Sequence, residues 1–458
     1  MNASSLAYVY RPTTLDGILS VFETARRHGR TVFLRGAGRS YGDASLLAEN
    51  LCLDCTRMNR ILDWDPVTGQ ITVEPGVTIG DIWRYTLGDG WWPPVVSGTM
   101  TVTMGGALAM NIHGKNNWKS GPIGEHVLQF EMLLPAGEII NCSPKENEEI
   151  FYSAIGGFGM LGCFTRITMQ MKRVYSGLLE VEAFATPSFG AIMREIEQRM
   201  ETADYLVGWV DCFAGGRKTG RGLVHAAYYV PSGADPIPAQ TLRLEKQELP
   251  DTMLGFLPKS ILWRLLKPFA NNPGMRLINQ AKYTAGSTIG NHKWERQSHA
   301  AFAFLLDYVP NWKWAYKPGG LIQYQTFIPA AKAEECFSEQ MSLCRVEGII
   351  PWLAVFKRHR PDKFLMSHAV EGYSLALDIP VNERNRKRVW ALCDKMNALT
   401  LSSGGRFYFA KDSSLDAKTV AAYLGAETIA RFSSIKRRCD PENLLETGLS
   451  KRLFGDFL

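Results

Sequence analysis

Two glycine-rich runs stand well apart in the N-terminal third of the chain. The first reads Arg35-Gly36-Ala37-Gly38-Arg39-Ser40-Tyr41-Gly42-Asp43. The second holds Gly98-Thr99, then Thr103-Met104-Gly105-Gly106-Ala107, and closes on Asn111-Ile112-His113-Gly114. Glycine lets backbone N–H groups approach phosphate oxygens with no Cβ in the way. The pair therefore reads as a pyrophosphate cradle assembled from two separate loops. A dinucleotide fingerprint would run G-x-G-x-x-G straight into a helix. Tyr41 stands where its third glycine belongs, so a nucleotide is expected to be bound in another way.

Several polar side chains lie where chemistry is feasible. His113 and Lys115 follow the second run, each with a bland alternative as a structural histidine and a solvated lysine. Gln323 and Gln325 alternate within Ile322–Phe327. A period of two puts both amides on one strand face, where they either line a pocket with donors and acceptors or face solvent. Tyr408 and Lys411 form a Y-x-x-K pair that would suit a short-chain dehydrogenase. That reading fails, because the pair lies near the C-terminus with no Rossmann fingerprint upstream. Lys411 can serve as a base only if burial or neighbouring cations lower its pKa from about 10.4. Otherwise it anchors an oxygen.

The blocks RGAGRSYGD, SGTMTVTMGGALAMNIHGKNN and GGFGMLG occur in that order. Together they resemble the FAD-binding domain of the vanillyl-alcohol-oxidase class. The runs YLVGWVDCFAGGRKTGRG (205–222), LIQYQTFIP (321–329), GGRFYFAKDSS (404–414) and IKRRCDPENLL (435–445) are similar to one branch of it. Its members oxidise a lipid-linked ribose and act as the flavin subunit of a ribose-to-arabinose epimerase. Matching runs from about residue 8 to the end and is thinnest over 235–300.

The resemblance implies an α+β, two-domain fold: an FAD-binding domain at 1–175, a substrate domain with an antiparallel sheet at 176–403, and a segment at 404–458 that completes the first domain. It implies FAD held by the first loop (35–43), by Gly98, Thr103, Met104, Gly105, Gly106, Asn111 and His113 of the second, and by Cys163 and Tyr408. Arg39 replaces the His that related sugar oxidases bond to their flavin, so the FAD is expected to be non-covalent. Lys411, His113 and Gln325 are the implied catalytic residues. Lys115, Trp209, Lys357 and Ser374 are the implied substrate contacts. The reaction implied is oxidation of the 2′-hydroxyl of a polyprenylphosphoryl ribose to a 2′-keto sugar. A separate short-chain reductase partner then completes the route to the arabinose donor used in cell-wall arabinan. An aldonolactone or alditol oxidase of a soluble sugar is the nearest alternative, and a flavin-binding protein without turnover is the next. One departure is that the family strand carries Cys and Asn where this chain has Ala376 and Ser374. Hydride transfer needs no thiol, so the change bears on pocket shape.

The elements that must position these residues are legible in outline. Residues 14–29 read as a helix, 31–34 as a strand feeding the first loop, 70–75 and 127–134 as strands, and 78–88 as a helix. Further on, 186–202 and 382–401 read as helices, and 321–328, 350–356 and 373–379 as strands. The stretch 235–300, rich in Pro, Asn and Lys, is expected to be irregular. Residues 256–269 read as a helix that either lies on a membrane surface or packs on the substrate domain.

With 458 residues, 46% of them hydrophobic, the chain can bury two domain cores. A net charge of +6 with no compact basic patch speaks against nucleic acid. Nine scattered cysteines, with Cys52 and Cys55 in an ordinary strand-like run, suggest reduced thiols and no zinc site. No secretory leader or run of 18 apolar residues is visible, so a cytoplasmic protein or one peripheral at a membrane is expected.

Overall fold

The computed structural model describes residues 5–253 and 257–455. It is built of helices and mostly antiparallel sheets, an α+β fold. Helix α1 (Leu15–Arg27) begins where the Thr14 hydroxyl accepts the Gly17 N–H and buries Ile18, Val21, Phe22 and Ala25. That stripe packs with a parallel sheet of β1 (Tyr8–Tyr10), β2 (Val32–Arg35) and β3 (Leu51–Asp54), ordered β1-β3-β2. Strand β2 delivers the first glycine-rich loop. A five-stranded antiparallel sheet follows: β4 (Ile61–Asp65), β5 (Gln70–Val73), β6 (Val127–Leu133), β7 (Ile139–Cys142) and β8 (Cys163–Gln170), ordered β4-β5-β8-β6-β7. Helix α2 (Ile79–Thr86) opens on a Thr78/Asp81 capping box. Helix α3 (Met104–Ala109) starts inside the second glycine-rich run.

Eight further strands form one antiparallel sheet. They are β9 (Leu178–Thr186), β10 (Tyr205–Val210), β11 (Gly222–Tyr229), β12 (Lys293–Ser298), β13 (Gly320–Pro329), β14 (Leu353–His359), β15 (Gly372–Val381) and β16 (Arg406–Phe407). Their order is β12-β9-β11-β10-β14-β15-β13-β16. Helices α4 (Phe189–Arg199), α6 (Ala330–Val346) and α7 (Arg386–Ser402) lie on this sheet, and α5 (Asn272–Thr288) crosses β9 and β11.

The central strands alternate strictly. Ile322, Tyr324 and Ile328 of β13, Ala354 and Phe356 of β14, and Tyr373, Leu375, Leu377 and Ile379 of β15 enter the core. Phe356 stacks on Tyr373 at 5.1 Å, with Phe337 of α6 edge-on to Phe356 at 5.7 Å. Each such side chain contributes about 1.5–3 kcal/mol of burial. A slip of one residue would turn that whole set outward, so register is strongly specified.

Two expectations need correction. The stretch 235–300 is not irregular throughout: it holds the 17-residue α5 and the strand β12. Asn271 and Pro273, residues that suggest a loop, are the helix start. The Asn271 side chain accepts the Gly274 N–H, and proline is tolerated in a first turn. Residues 256–269 are not one helix. Phe256 lies outside the described residues, and only Leu262–Leu266 is α-helical, flanked by single 3₁₀ turns at Lys259–Ile261 and Lys267–Phe269. Among the described residues no helix is long and apolar enough to cross a membrane. The nine cysteines are all free and buried.

The C-terminal tail returns to the N-terminal sheet. Val32 N–H donates to Leu444 O (2.8 Å) and Val32 O accepts from Glu446 N–H (3.0 Å), extending β2. Arg452 pairs with Asp43 (2.7 Å) and Asp412 (2.8 Å), and Tyr41 N–H donates to Ala410 O (2.9 Å). A Cβ at Gly42 would stand 1.9 Å from Asp412 O, so the loop and tail are in direct backbone contact.

The turn that aims the tail is held by Lys436 and Asp440, a wholly buried ion pair. The Asp440 carboxylate also accepts the Leu444 (2.9 Å) and Leu445 (2.7 Å) N–H groups, and Lys436 donates to Leu445 O (2.9 Å). Asp440→Ala would leave a buried ammonium and two N–H groups unpaired. The expected loss is about 3–5 kcal/mol, read as a lower midpoint in urea unfolding. Wild-type stability would mean the tail is held by something else.

Candidate active site

One cavity of about 990 Å³ lies between the glycine-rich loops and the polar face of the eight-stranded sheet. Small-molecule and cofactor sites span roughly 300–1,000 Å³, so this one is at the large end. Its loop wall is a close meeting of two backbones. A Cβ at Gly36 would stand 2.0 Å from Thr103 Oγ1, and one at Gly105 would stand 2.8 Å from Pro75 Cβ. Gly38 has φ +62°, a left-handed conformation suited to glycine. Thr103 Oγ1 and His113 Nδ1 line this seam, buried and with no hydrogen-bond partner among the described residues. A lining of backbone amides with unpaired polar atoms fits a large hydrogen-bonding anion such as FAD.

The sheet wall follows from strand alternation. One row across β13, β15, β14 and β10 reads Gln325, Ala376, Val355, Trp209. The next row on one side pairs Gln323, Asp378 and Leu353. On the other side Phe327 faces Ser374, which faces Lys357. Gln323, Gln325, Leu353, Val355, Lys357, Ala376 and Trp209 all line the cavity. The tail adds Tyr408 and Lys411, whose ammonium sits 3.9 Å from the centre of the Tyr41 ring.

A histidine cluster supports this wall. The Gln325 amide donates to His113 Nε2 (3.2 Å), which puts the His113 proton on Nδ1, the atom without a protein partner. The His113 ring lies 4.9 Å from that of His359 and 5.1 Å from that of Tyr408. Burial, then the charge of Lys357, holds His113 well below the usual imidazole value. The ring is therefore neutral near pH 7. His359 is held low in the same way, and burial takes His368 to about 3. The lysines shift too. Burial lowers Lys357 to about 8. Burial with the neighbouring Lys357 lowers Lys115 to about 7. Lys411 is pushed down by burial, with Lys357 and Lys313 adding and Asp378 opposing. Asp378 is pushed up by burial; one of its oxygens accepts the Gln323 amide at 2.5 Å and the other has no hydrogen bond.

Comparison with known proteins agrees with this geometry. An FAD-binding domain family matches residues 6–143. Decaprenylphosphoryl-β-D-ribose oxidase of Mycolicibacterium smegmatis is 28% identical over 439 residues, 95% of this chain and 92% of that one. Residues 6–143 are similar to an FAD-binding domain, and the chain is an FAD-dependent oxidoreductase. D-Arabinono-1,4-lactone oxidase of Debaryomyces hansenii is 26% identical over 37% of this chain and 32% of its own length. L-Gulonolactone oxidase of Bos taurus is 27% identical over 35% and 36%.

Most of the residues singled out in this oxidoreductase meet at the cavity. Arg35 through Tyr41, Gly98, Thr103, Gly105, Gly106, His113, Lys115, Cys163, Trp209, Gln325, Lys357, Tyr408 and Lys411 line it. Five do not. Gly42 and Asp43 are taken up by the tail, against Asp412 and Arg452. Met104 is fully buried in the core. Asn111 lies behind the wall, accepting the Gly124 N–H (3.1 Å). Ser374 is fully buried behind Gln325, its hydroxyl bonded to His359 Nε2 (2.8 Å). Sequence reasoning missed His359, His368, His225, Lys282 and the Gln323–Asp378 contact. His359 was findable, being two residues beyond Lys357 on the same strand face. Lys282 was hidden by the expectation of an irregular segment. Cys163 Sγ lies 3.8 Å from Cys55 Sγ, so the C-x-x-C spacing does not bring Cys52 and Cys55 together as a site.

Gly106 offers a clean test of the cradle. A Cβ there would meet only Thr103 Oγ1, at 3.1 Å, so the fold tolerates it while the side chain encroaches on the cavity. Gly106→Val is expected to fold with a near-normal melting curve and to purify with FAD occupancy reduced at least tenfold, read from the 450 nm absorbance per chain. Full occupancy would place the cofactor elsewhere.

Proposed function

We propose that this oxidoreductase oxidises a secondary alcohol on a sugar, and that its substrate is the 2′-hydroxyl of a polyprenylphosphoryl ribose, giving the 2′-keto sugar. The observation that carries the reading is Lys411: a lysine lowered toward neutrality, at the cofactor cavity, beside a wall of amides and neutral imidazole. FAD, when bound, supplies the two-electron acceptor. Lys411 Nζ takes the hydroxyl proton in its neutral form. Gln325 and the His113 Nδ1–H orient the sugar, and Trp209, Lys115 and Lys357 contact it. Ser374 acts from behind the wall, holding His359 and Gln325. The aligned relative that spans nearly the whole chain is named for a lipid-linked ribose, whereas the lactone oxidases align over little more than a third of it.

The mouth of the cavity supports a lipid-linked substrate. Leu305 and Trp314 line it and are exposed, and the Trp263 ring lies 5.2 Å from that of Trp314. Leu265, Leu266 and Phe269 are exposed in the adjoining segment beside Arg264 and Lys267. Such a surface suits peripheral contact with a bilayer that presents the polyprenyl chain. The keto product then requires reduction by a separate short-chain reductase to yield the arabinose donor. We take residues 1–175 with 404–458 as the FAD-binding unit and 176–403 as the substrate unit.

The FAD is bound without a covalent link, since Arg39, at the cavity rim, has no nucleophile for the flavin. Acid precipitation should leave the yellow colour in the supernatant; colour retained in the pellet would overturn the assignment.

Anaerobic mixing with lipid-linked ribose, free sugars and aldonolactones tests the substrate class, the expected result being flavin bleaching by the first alone. Lys411→Ala should keep its FAD and lose about 10² or more in the rate of flavin reduction. A base must be unprotonated, so the wild-type rate should rise with pH, on a limb below the ordinary lysine value of 10.5. The variant should lack that limb. Unchanged reduction kinetics would remove Lys411 from the chemistry.

A further inference from the structure

A line of polar side chains runs back from the sheet wall into the interior. Asn117 opens the short helix Asn117–Ser120, and His359 ends β14; both are fully buried, behind the residues that line the cavity. Asn117 Oδ1 meets His359 Nδ1 at 3.0 Å. His359 Nε2 lies 2.8 Å from Ser374 Oγ of β15, and Ser374 Oγ lies 3.4 Å from Gln325 Nε2 of β13. Gln325 Nε2 also reaches His113 Nε2, at 3.2 Å. Within the sheet each step is a diagonal, since His359 is paired with Gly372 and Gln325 with Ala376. Diagonal neighbours are within reach of long side chains.

These hydrogen bonds run in one direction. Asn117 Oδ1 also accepts the Arg360 backbone N–H (3.4 Å). A backbone N–H only donates, so the Asn117 atom facing it is the amide oxygen. An oxygen only accepts here, so His359 carries its proton on Nδ1. Burial holds His359 well below the usual imidazole value, which leaves the ring neutral and Nε2 a lone pair. Ser374 therefore donates to His359 Nε2. With its one proton spent, the hydroxyl accepts from Gln325. The second Gln325 N–H goes to His113 Nε2, and the His113 proton stands on Nδ1. Taken singly, every later link works as well in reverse. The first does not, because reversal would set the Asn117 amino group against the Arg360 N–H.

The two ends of the line carry unpaired atoms. Asn117 Nδ2 is buried with no hydrogen-bond partner among the described residues. A buried unpaired donor is destabilising, and a leucine of similar size would leave none. The oriented oxygen is what the amide supplies in return. At the far end His113 Nδ1 is buried and unpartnered too, and His113 lines the cofactor cavity.

We infer that Asn117 and His359 are positioning residues that set the polarity of the sheet wall, so that His113 presents an N–H, and not a lone pair, to the carbinol oxygen. The inference rests on the sugar-oxidation reading and goes beyond it, naming what aims the groups that orient the sugar. A hydroxyl both donates and accepts, so a bound alcohol satisfies a wall of either polarity. The same oxygen only accepts once its proton has passed to Lys411. A donor fixed beforehand favours that later state. The polarity therefore acts on the reaction more than on binding.

The test reads the imidazoles directly. The FAD-loaded protein is prepared with histidine carrying the heavy nitrogen isotope, and proton–nitrogen correlation spectra give the tautomer of each ring. The His113 and His359 signals are identified by their loss in His113→Asn and His359→Phe. In the wild type both rings should carry the proton on Nδ1. Asn117→Leu removes the oxygen that accepts from His359. Buried N–H groups without a partner are rarer than buried acceptors without one, so the line should reverse and both rings should move to the Nε2–H tautomer. His359→Phe leaves Gln325 as the acceptor for the Ser374 hydroxyl and should move His113 in the same way; it serves if Asn117→Leu does not fold. In anaerobic mixing with octyl β-D-ribosyl 1-phosphate, each variant should lose about tenfold or more in the limiting rate of flavin reduction, with the apparent Kd changed by less than about threefold. A merely structural role would lower the melting temperature and leave the His113 tautomer where it is. A wild-type His113 with its proton on Nε2, a His113 that keeps Nδ1–H in the variants, or a loss carried by Kd alone would overturn the inference. Flavin that no sugar bleaches would remove the sugar-oxidation reading. The tautomers, read with no sugar present, would still decide whether Asn117 sets the polarity of the wall.

Discussion

The structure depends on one constraint, the register of the five strands β13, β15, β14, β10 and β11. Because their side chains alternate, a single packing decision sets both faces. Tyr373, Leu375, Leu377 and Ile379 enter the core, so Ser374, Ala376 and Asp378 take the opposite face. Phe356 enters the core, so Val355 and Lys357 do not. The site needs no separate stabilisation of its sheet wall. Burying several aromatic and aliphatic side chains holds it, and the polar face is carried along. A catalytic wall of this kind is rigid at its base and tunable at its tips, which suits chemistry that depends on presenting a carbon to a cofactor at fixed distance.

The first glycine-rich loop is held in the opposite way. It relies on partners distant in sequence. Tyr41 is held by Ala410, Asp43 by Arg452, and β2 by Leu444 and Glu446. The same tail carries Tyr408 and Lys411 into the cavity. Formation of the cofactor cradle and placement of Lys411 are thus one event, coupled through the chain's return. A cavity assembled from both ends of the chain cannot exist in a partly folded N-terminal half.

How much of this was legible in the sequence follows from the range of each interaction. The alternation of Gln323 and Gln325 is a local property, and both line the cavity. The glycine runs are local too; at Gly36, Gly38 and Gly105 a Cβ would meet Thr103, Arg35 and Pro75 of the fold itself, contacts that no local pattern announces. The roles of Gly42 and Asp43 were not legible, because they answer to Asp412 and Arg452, nearly four hundred residues away. Helix α5 was missed for a different reason. Its start is written in Asn271 and Pro273, which serve equally well in a loop, and only packing against β9 and β11 resolves them. The 256–269 stretch failed the other way: its apolar residues suggested a helix, but Pro258 and Pro268 allow only a short turn of one. The branch-level resemblance supplied pocket residues that no periodicity could, and it placed Ser374 at a wall it stands behind.

The electrostatics of the cavity give these pieces a common logic. Burial lowers every lysine here, but the neighbours divide them. Lys411 has Asp378 nearby, whose second oxygen is unpaired and whose own burial favours the protonated form. A proton gained by Lys411 can therefore be stabilised by a nearby carboxylate, while Lys357 and Lys313 oppose its keeping that proton at rest. That is the balance wanted in a base: ready to accept and not already occupied. Lys115 and Lys357 have no such carboxylate. Their charge favours negative charge anywhere in the cavity, whether on a bound group or developing on a carbinol oxygen as its proton departs. The neutral imidazoles complete the arrangement. Were His113 or His359 charged, the added cation would raise the cost of holding the lysines; neutral, they hydrogen-bond without adding to it. One set of buried cations thus serves two ends through a single asymmetry, the position of Asp378 at one end of the wall and its absence from the other.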